Sequence, residues 1–132
     1  EVHRLIRPPR REFVFTYLHG IAWKDVARKP DFGEMWSEVY PILQDVDFIA
    51  AHNATFDRGV LEACCRAAGV KPPKQRFVCT VALARRVWGV YPTKLDSVCR
   101  RLKIDLNHHE ALSDAKACAQ IILQAQKAGA KV

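Results

Sequence analysis

The sequence holds no Cys-x-x-Cys pair, no apolar run of about 18 residues, no internal repeat and no low-complexity stretch. Each absence closes off a class. Without Cys-x-x-Cys spacing, a structural zinc site has no ligand pattern to build on. Without a long apolar run, no membrane-spanning helix and no membrane partner are expected, and the first residues do not resemble a secretory signal. The cysteines are five, an odd number. Cys64 and Cys65 are adjacent, while Cys79, Cys99 and Cys118 stand apart among apolar neighbours. They read as small buried hydrophobes in a reducing cytoplasm, the expected location. Acidic charge is also short. Fourteen Asp and Glu face 21 Lys and Arg, giving a formal net charge of +7. That balance suits plain solubility and a polyanionic partner equally, with nucleic acid the commonest partner of such a charge.

What is present fits one globular domain over residues 1–132. The length supports a single core, and 49% of the residues are hydrophobic. Glu1–Arg7 alternates apolar and polar residues as a half-buried strand does, and Pro8-Pro9 ends it. A loop runs on to Pro30. Asp31 followed by Glu34 predicts a capping box, and Met35, Trp36, Val39, Ile42 and Leu43 mark a helix that Pro41 should kink or shorten. Phe48–Ala51 is a short buried strand. A helix follows from Thr55 to Ala68, with Asn53 or Thr55 as its cap, Phe56, Val60, Ala63 and Ala67 on one side, and Gly69 as its stop. Phe77–Cys79 predicts another strand, with Thr80 capping a helix to about Trp88. Lys94–Leu102 is a short amphipathic helix. The last helix spans Leu112–Lys127, with Ala115, Cys118, Ala119, Ile122 and Leu123 toward the core and a frayed tail over Ala128–Val132. Short strands alternating with helices predict an α/β domain with a mixed or parallel sheet.

Two runs carry the chemistry. Ala51-His52-Asn53-Ala54-Thr55-Phe56-Asp57 and His109-Glu110-Ala111-Leu112-Ser113-Asp114 each lie where a strand or loop hands over to a helix. Together they offer two carboxylates and an imidazole. Hard divalent cations bind through one or two carboxylates plus a substrate phosphate, and a neutral histidine can take a proton from an attacking water. Five helical residues turn about 500°, so His109 and Asp114 cannot share a helix face. His109 therefore belongs to the loop before the helix or to its very start. Asp57 is placed just after a strand, at the carboxyl end where open α/β sheets bind ligands.

These runs resemble those of the DEDDh, or DnaQ-like, 3′–5′ exonucleases. His52–Asp57 is similar to the family's second motif. His109–Asp114 is similar to its third, in which histidine is followed five positions later by aspartate. Leu5–Pro9, His19-Gly20-Ile21, Pro30-Asp31-Phe32 and Phe77–Thr80 are similar to further landmarks, so the likeness covers nearly the whole chain. The resemblance implies a ribonuclease-H-like mixed sheet flanked by helices and two divalent ions, Mg²⁺ or Mn²⁺. It makes Asp57 and Asp114 metal ligands and His109 the general base. It puts His19, Asn53 and Phe56 near the terminal nucleotide. The plainer alternatives for these three are a surface loop residue, a helix cap and a core residue. The implied substrates are single-stranded or frayed 3′ ends of DNA or RNA, with a DNA polymerase as partner for some members and a homodimer for others.

One motif is missing. The family's first, Asp-x-Glu on a central opening strand, occurs nowhere in the 132 residues. The nearest acidic pair, Asp45 and Asp47, reads as a solvated turn. The expected fold therefore lacks its first strands. Three origins remain open: an N-terminally incomplete chain, a degenerate relative that binds nucleic acid without cutting it, or a strand supplied by another chain. Loss of a central strand strips backbone partners and exposes apolar faces, at a cost beyond a small domain's net stability. That favours the first origin.

Overall fold

The computed structural model describes residues 1–107 and 109–132. Its elements are α1 (Thr16–His19), α2 (Trp23–Val26), α3 (Phe32–Leu43), β1 (Phe48–Ala51), α4 (Ala54–Ala68), β2 (Arg76–Cys79), α5 (Thr80–Trp88), α6 (Leu95–Leu102) and α7 (Ala111–Lys127). Residues 1–47 with 59–75 gather into one compact unit, and residues 48–58 with 76–132 into a second. No helix among the described residues is long and apolar enough to cross a membrane.

In the first unit, Asp31 opens α3 through a full capping box. Its carboxylate accepts the Glu34 N–H at 2.9 Å, and the Glu34 carboxylate accepts the Asp31 N–H at 2.9 Å. Pro41 sits in the last turn, and the helix ends two residues beyond it. Trp36 is buried between Phe32, stacked at 5.5 Å, and Tyr40, tilted at 5.7 Å. Its indole N–H donates to the Lys71 carbonyl at 2.9 Å, so the polar tip is satisfied as its ring is buried. Glu1–Arg7 is not a strand. Leu5 and Ile6 are half-buried, but no strand pairing forms among the described residues: the Arg7 N–H bonds the Pro30 carbonyl at 2.9 Å, and Pro8-Pro9 removes the next donors. The segment before Pro30, expected as a loop, carries the two one-turn helices α1 and α2.

The second unit is built on β1 and β2, which pair in parallel with Phe48 opposite Arg76 and Ala51 opposite Cys79. Parallel strands need a long crossover between them, and α4 lies in that connection. Among the described residues this is the whole sheet, so its mixed character is not seen; the pair is purely parallel. Ile121 and Val98 are fully buried in a core that α5, α6 and α7 share, with Phe48, Ala50 and Val78 of the strands packed against it.

Four expectations about faces and caps are corrected. Along α4, Phe56, Val60, Ala63 and Ala67 are exposed, whereas Ala54 and Cys65 are buried and Leu61 is half-buried, a 7- and 4-residue spacing that marks the opposite stripe. Along α7, Ala115, Ala119 and Leu123 face solvent. The buried stripe is Ala117, Cys118, Ile121, Ile122 and Ala125, where two small alanines let neighbouring helices approach and two isoleucines fill the space. Thr80 is the first residue of α5 rather than its cap; Cys79 holds the cap position. The tail is held rather than frayed. Gly129, at φ 81°, closes α7 with N–H bonds from Gly129 to Gln126 and from Ala130 to Ala125, and the Arg76 and Arg86 guanidiniums donate to the Val132 and Lys131 carbonyls at 2.9 and 2.6 Å.

Candidate active site

In-register parallel pairing ends β1 and β2 at the same level, so the chain emerges at His52 and at Thr80 side by side. Helices α4 and α5 start there. Asn53 makes the corner from β1 into α4. It adopts φ 71°, which asparagine tolerates better than most residues, and its carbonyl accepts the Phe56 N–H at 2.9 Å. Asp57 follows in the first turn of α4 and is exposed. Phe56 is 68% exposed, which rules out a core role for its ring. The helix begins at Ala54, so Thr55 lies inside it and is not a cap.

The start of α7 supplies the second half. Asp114 is half-buried in its first turn, with its N–H bonded to the Glu110 carbonyl at 3.0 Å. The loop before it is fastened at several points. The Asn107 N–H donates to Ser113 Oγ at 2.8 Å, the Asn107 side-chain amide bonds the Glu110 carboxylate, and the Glu110 N–H returns to the Asn107 carbonyl at 3.2 Å. His109 sits in that loop, exposed, at φ 70°.

Both carboxylates act electrostatically on one thiol. Cys118 lies one helical turn beyond Asp114, on the buried stripe. Burial is the main reason its pKa is raised, and the negative charges of Asp114 and Asp57 add to the rise. Hydrogen bonds with the Thr80 hydroxyl and the His52 backbone oppose it without reversing it. Cys99, deeper in the core, is pushed up to about 11 by burial first and then by Cys118, Asp114 and Asp96. Asp57 and Asp114 thus come from the first turns of two helices in different parts of the sequence. Each is favoured there by the positive end of its helix.

A residue that sequence reasoning left without a role organises this corner. His52 Nε2 lies 2.8 Å from the Thr93 carbonyl, which only accepts, so Nε2 carries a proton. In the neutral ring Nδ1 then accepts from the Thr80 hydroxyl at 2.9 Å. That hydroxyl is closer to Nδ1 than to the Ala51 carbonyl at 3.4 Å or to Cys118 Sγ at 4.0 Å. Thr80 is fully buried and Thr93 nearly so. One imidazole therefore ties the end of β1 to the first residue of α5 and to the loop before α6. The available signal was a polar residue directly after four apolar ones, at the strand's carboxyl end.

Cys79 was also read only as a buried hydrophobe. Its thiol is half-buried, which pushes its pKa up. Backbone N–H groups of Ala82, Ala54, Val81 and Asn53, at the starts of α5 and α4, outweigh that and hold it below the ordinary thiol value, without closing a full capping bond.

Asp57, Asp114, His109, Asn53 and Phe56 belong to the second unit and His19 to the first. His19 Nδ1 accepts the Ile21 N–H at 3.0 Å, and its ring meets Phe13 edge-on at 6.4 Å. Asp45 and Asp47 are exposed between α3 and β1. Among the described residues, no three His, Cys, Asp or Glu side chains gather closely enough to cage a metal.

The model of the RNase T-type exonuclease family matches residues 1–122. The chain belongs to that exonuclease family. Among its relatives, DNA polymerase III subunit epsilon of Escherichia coli is 31% identical over 113 residues, covering 80% of this chain and 46% of that protein. The PolC-type DNA polymerase III of Thermotoga maritima is 31% identical over 126 residues, covering 94% of this chain and 9% of that one. A solved structure, Exonuclease X in complex with 5′ overhanging duplex DNA, superposes with a TM-score of 0.74 at 24% identity. It covers 97% of this chain and 74% of that one. The exonuclease fold is thus shared, as an α/β, ribonuclease-H-like arrangement. The chain spans about half the length of the epsilon subunits it matches and about a tenth of the PolC-type polymerases.

Proposed function

We propose that this exonuclease-family chain is the nuclease part of a 3′–5′ exonuclease that shortens single-stranded or frayed DNA ends with the help of Mg²⁺ or Mn²⁺. The observation that carries the reading is the position of Asp57 and Asp114, each in the first turn of its helix, with Asp57 following directly on the end of β1 and both within electrostatic reach of the Cys118 thiol. These donors are all oxygen, which fits a hard divalent ion. Two carboxylates leave most of the shell for water and for substrate phosphate, the usual manner of Mg²⁺ binding at phosphoryl centres. When bound, such ions supply an activated water and charge stabilisation for the departing oxygen.

The remaining work falls to this chain's residues. His109, in its neutral form, takes the proton from the attacking water, so acid should silence the reaction. The bonds of Asn107 to Ser113 and Glu110 anchor the backbone on either side of His109. Phe56 offers an open ring for the terminal base, and Asn53 offers a polar side chain at the same corner. DNA as substrate is supported by the relatives, which are parts of DNA polymerase III, and by the DNA held by Exonuclease X. A polymerase partner is supported by the same relatives.

A second reading has its own observation. No set of three metal-ligating side chains gathers among the described residues, and no Asp-x-Glu occurs in the sequence. A non-catalytic nucleic-acid-binding relative would look the same. The discriminating assay is nucleotide release from a 3′-labelled single strand with Mn²⁺ or with chelator. Mn²⁺-dependent release that disappears in Asp114→Asn and His109→Ala is expected. No release, or release indifferent to both variants, overturns the exonuclease reading in favour of binding alone.

A further inference from the structure

Residues 13–19 spend local order on presenting apolar surface to water. The Gly20 N–H bonds the Thr16 carbonyl at 2.8 Å with Gly20 at φ 72°, Thr16 Oγ1 donates to the Ile21 carbonyl at 2.8 Å, and the Leu18 N–H bonds the Phe15 carbonyl at 2.8 Å. This one-turn helix is therefore fixed in conformation. Yet Tyr17 is 83% exposed, Val14 74% and Phe15 55%. Scattered single apolar residues on a surface need no explanation, but four large ones within five positions, Leu18 included, do. The Phe15 and Tyr17 rings lie 6.3 Å apart at 54° to one another, leaving the outer ring faces open.

The surroundings are basic. Between residues 1 and 29 the sequence has seven Lys or Arg and three Asp or Glu. Arg10 and Arg11 lead directly into the aromatic segment, and Arg11 already lies over the Trp23 ring at 5.3 Å. Exposed rings that follow two arginines along the chain are parts from which a surface for single-stranded nucleic acid can be built, in which bases stack on aromatics while arginine meets phosphate. A second protein copy would bring a segment of the same positive charge, seven basic residues against three acidic ones, up to this one, which opposes self-association.

We infer that Tyr17 and Phe15, with Arg10 and Arg11, form a base-stacking platform for a single nucleic-acid strand. This inference rests on the nucleic-acid reading above but not on catalysis. The platform adds affinity for the strand without taking part in hydrolysis, and it is indifferent to base identity because every base has a π-face.

The test is fluorescence anisotropy of a labelled oligothymidylate of roughly 12 nucleotides with the full chain in chelator, where no cleavage interferes. Tyr17→Ala and Phe15→Ala should each weaken binding by about 5- to 150-fold, the range measured for losing one stacked base. Tyr17→Phe should retain binding. Added salt should weaken the parent and the variants along parallel slopes, since no phosphate contact is removed. Thermal unfolding of Tyr17→Ala should match the parent, because the ring packs on little. Equal affinity of parent and Tyr17→Ala overturns the platform while leaving the exonuclease reading standing. Loss of Mn²⁺-dependent release with stacking intact does the reverse. A parent that binds no strand, or a dimer that Tyr17→Ala dissolves, overturns the platform by assigning the patch elsewhere.

Discussion

Replacing His52 by alanine removes the tie among β1, α5 and the Thr93 loop, and the structure fixes how much that should cost. Two hydrogen bonds go, to Thr80 Oγ1 at 2.9 Å and to the Thr93 carbonyl at 2.8 Å. Their fates differ. The Thr80 hydroxyl can turn to the Ala51 carbonyl, 3.4 Å away, and recover part of its bond. The Thr93 carbonyl loses its ring donor in a nearly buried residue, at a cost of about 1–3 kcal/mol for a stranded polar group. The space vacated by the imidazole adds a cavity term. The sum is about 2–4 kcal/mol, a large share of the 5–15 kcal/mol typical of a domain. Urea unfolding followed by circular dichroism should show it as a lowered midpoint at unchanged slope. His52→Gln, whose amide can reach the Thr93 carbonyl, should recover about half. A loss below about 1 kcal/mol in His52→Ala would refute the reasoning, because it would mean that the buried acceptor had found water or never depended on the ring.

Two further outcomes concern the thiols. The Cys99 pKa is raised from 9.0 to about 11, so the unfolded chain ionises first as pH climbs. Its contribution to stability is whole below pH 9 and is lost between there and about pH 11, a loss on the order of 3 kcal/mol. Melting temperature measured from pH 8 to 11 should fall for the parent and fall less steeply for Cys99→Ala; parallel curves would contradict the assignment. At Cys79 the N–H groups of two helix starts face a sulfur, a weak acceptor. Cys79→Asp should raise stability by about 0.5–2 kcal/mol, as a carboxylate cap does, and Cys79→Ala should not. Equal melting points for the two variants would count against the cap.

Local signals were legible where the chemistry is local. Asp31 and Glu34 announce a capping box that needs only four residues to form, and Phe48–Ala51 announces a buried strand by composition. Gly69, expected as the stop of its helix, takes a positive φ for the same reason. Faces were less legible, because which stripe of α4 or α7 is buried depends on the partner it meets. Leu123 and Ile121 are equally apolar as letters, and only the approach of α5 and α6 decides between them. The tail over Ala128–Val132 looked loose because its anchors, Arg76 and Arg86, are more than 40 positions away. The site shows the same division. Asp57 and Asp114 were visible as letters in a pattern, whereas the role of His52 was not. Its partners lie 28 and 41 positions ahead, and nothing in the local sequence selects Thr80 as the donor and the Thr93 carbonyl as the acceptor that fix its tautomer.

The starts of α4 and α7 give a physical reason for finding carboxylates at these positions. Asp57 lies in the first turn of a 15-residue helix and Asp114 in the first turn of a 17-residue one. The positive end of each helix favours a carboxylate there by a few tenths of a kcal/mol to about 1 kcal/mol. The same effect would place either residue without any metal, so the letters alone do not separate a helix partner from an ion ligand. Asp57 is exposed, so a solvated ion can reach it without prising the core apart. In the proposed reaction the carboxylates would hold the ion, and only His109 and a substrate phosphate would tie them to hydrolysis.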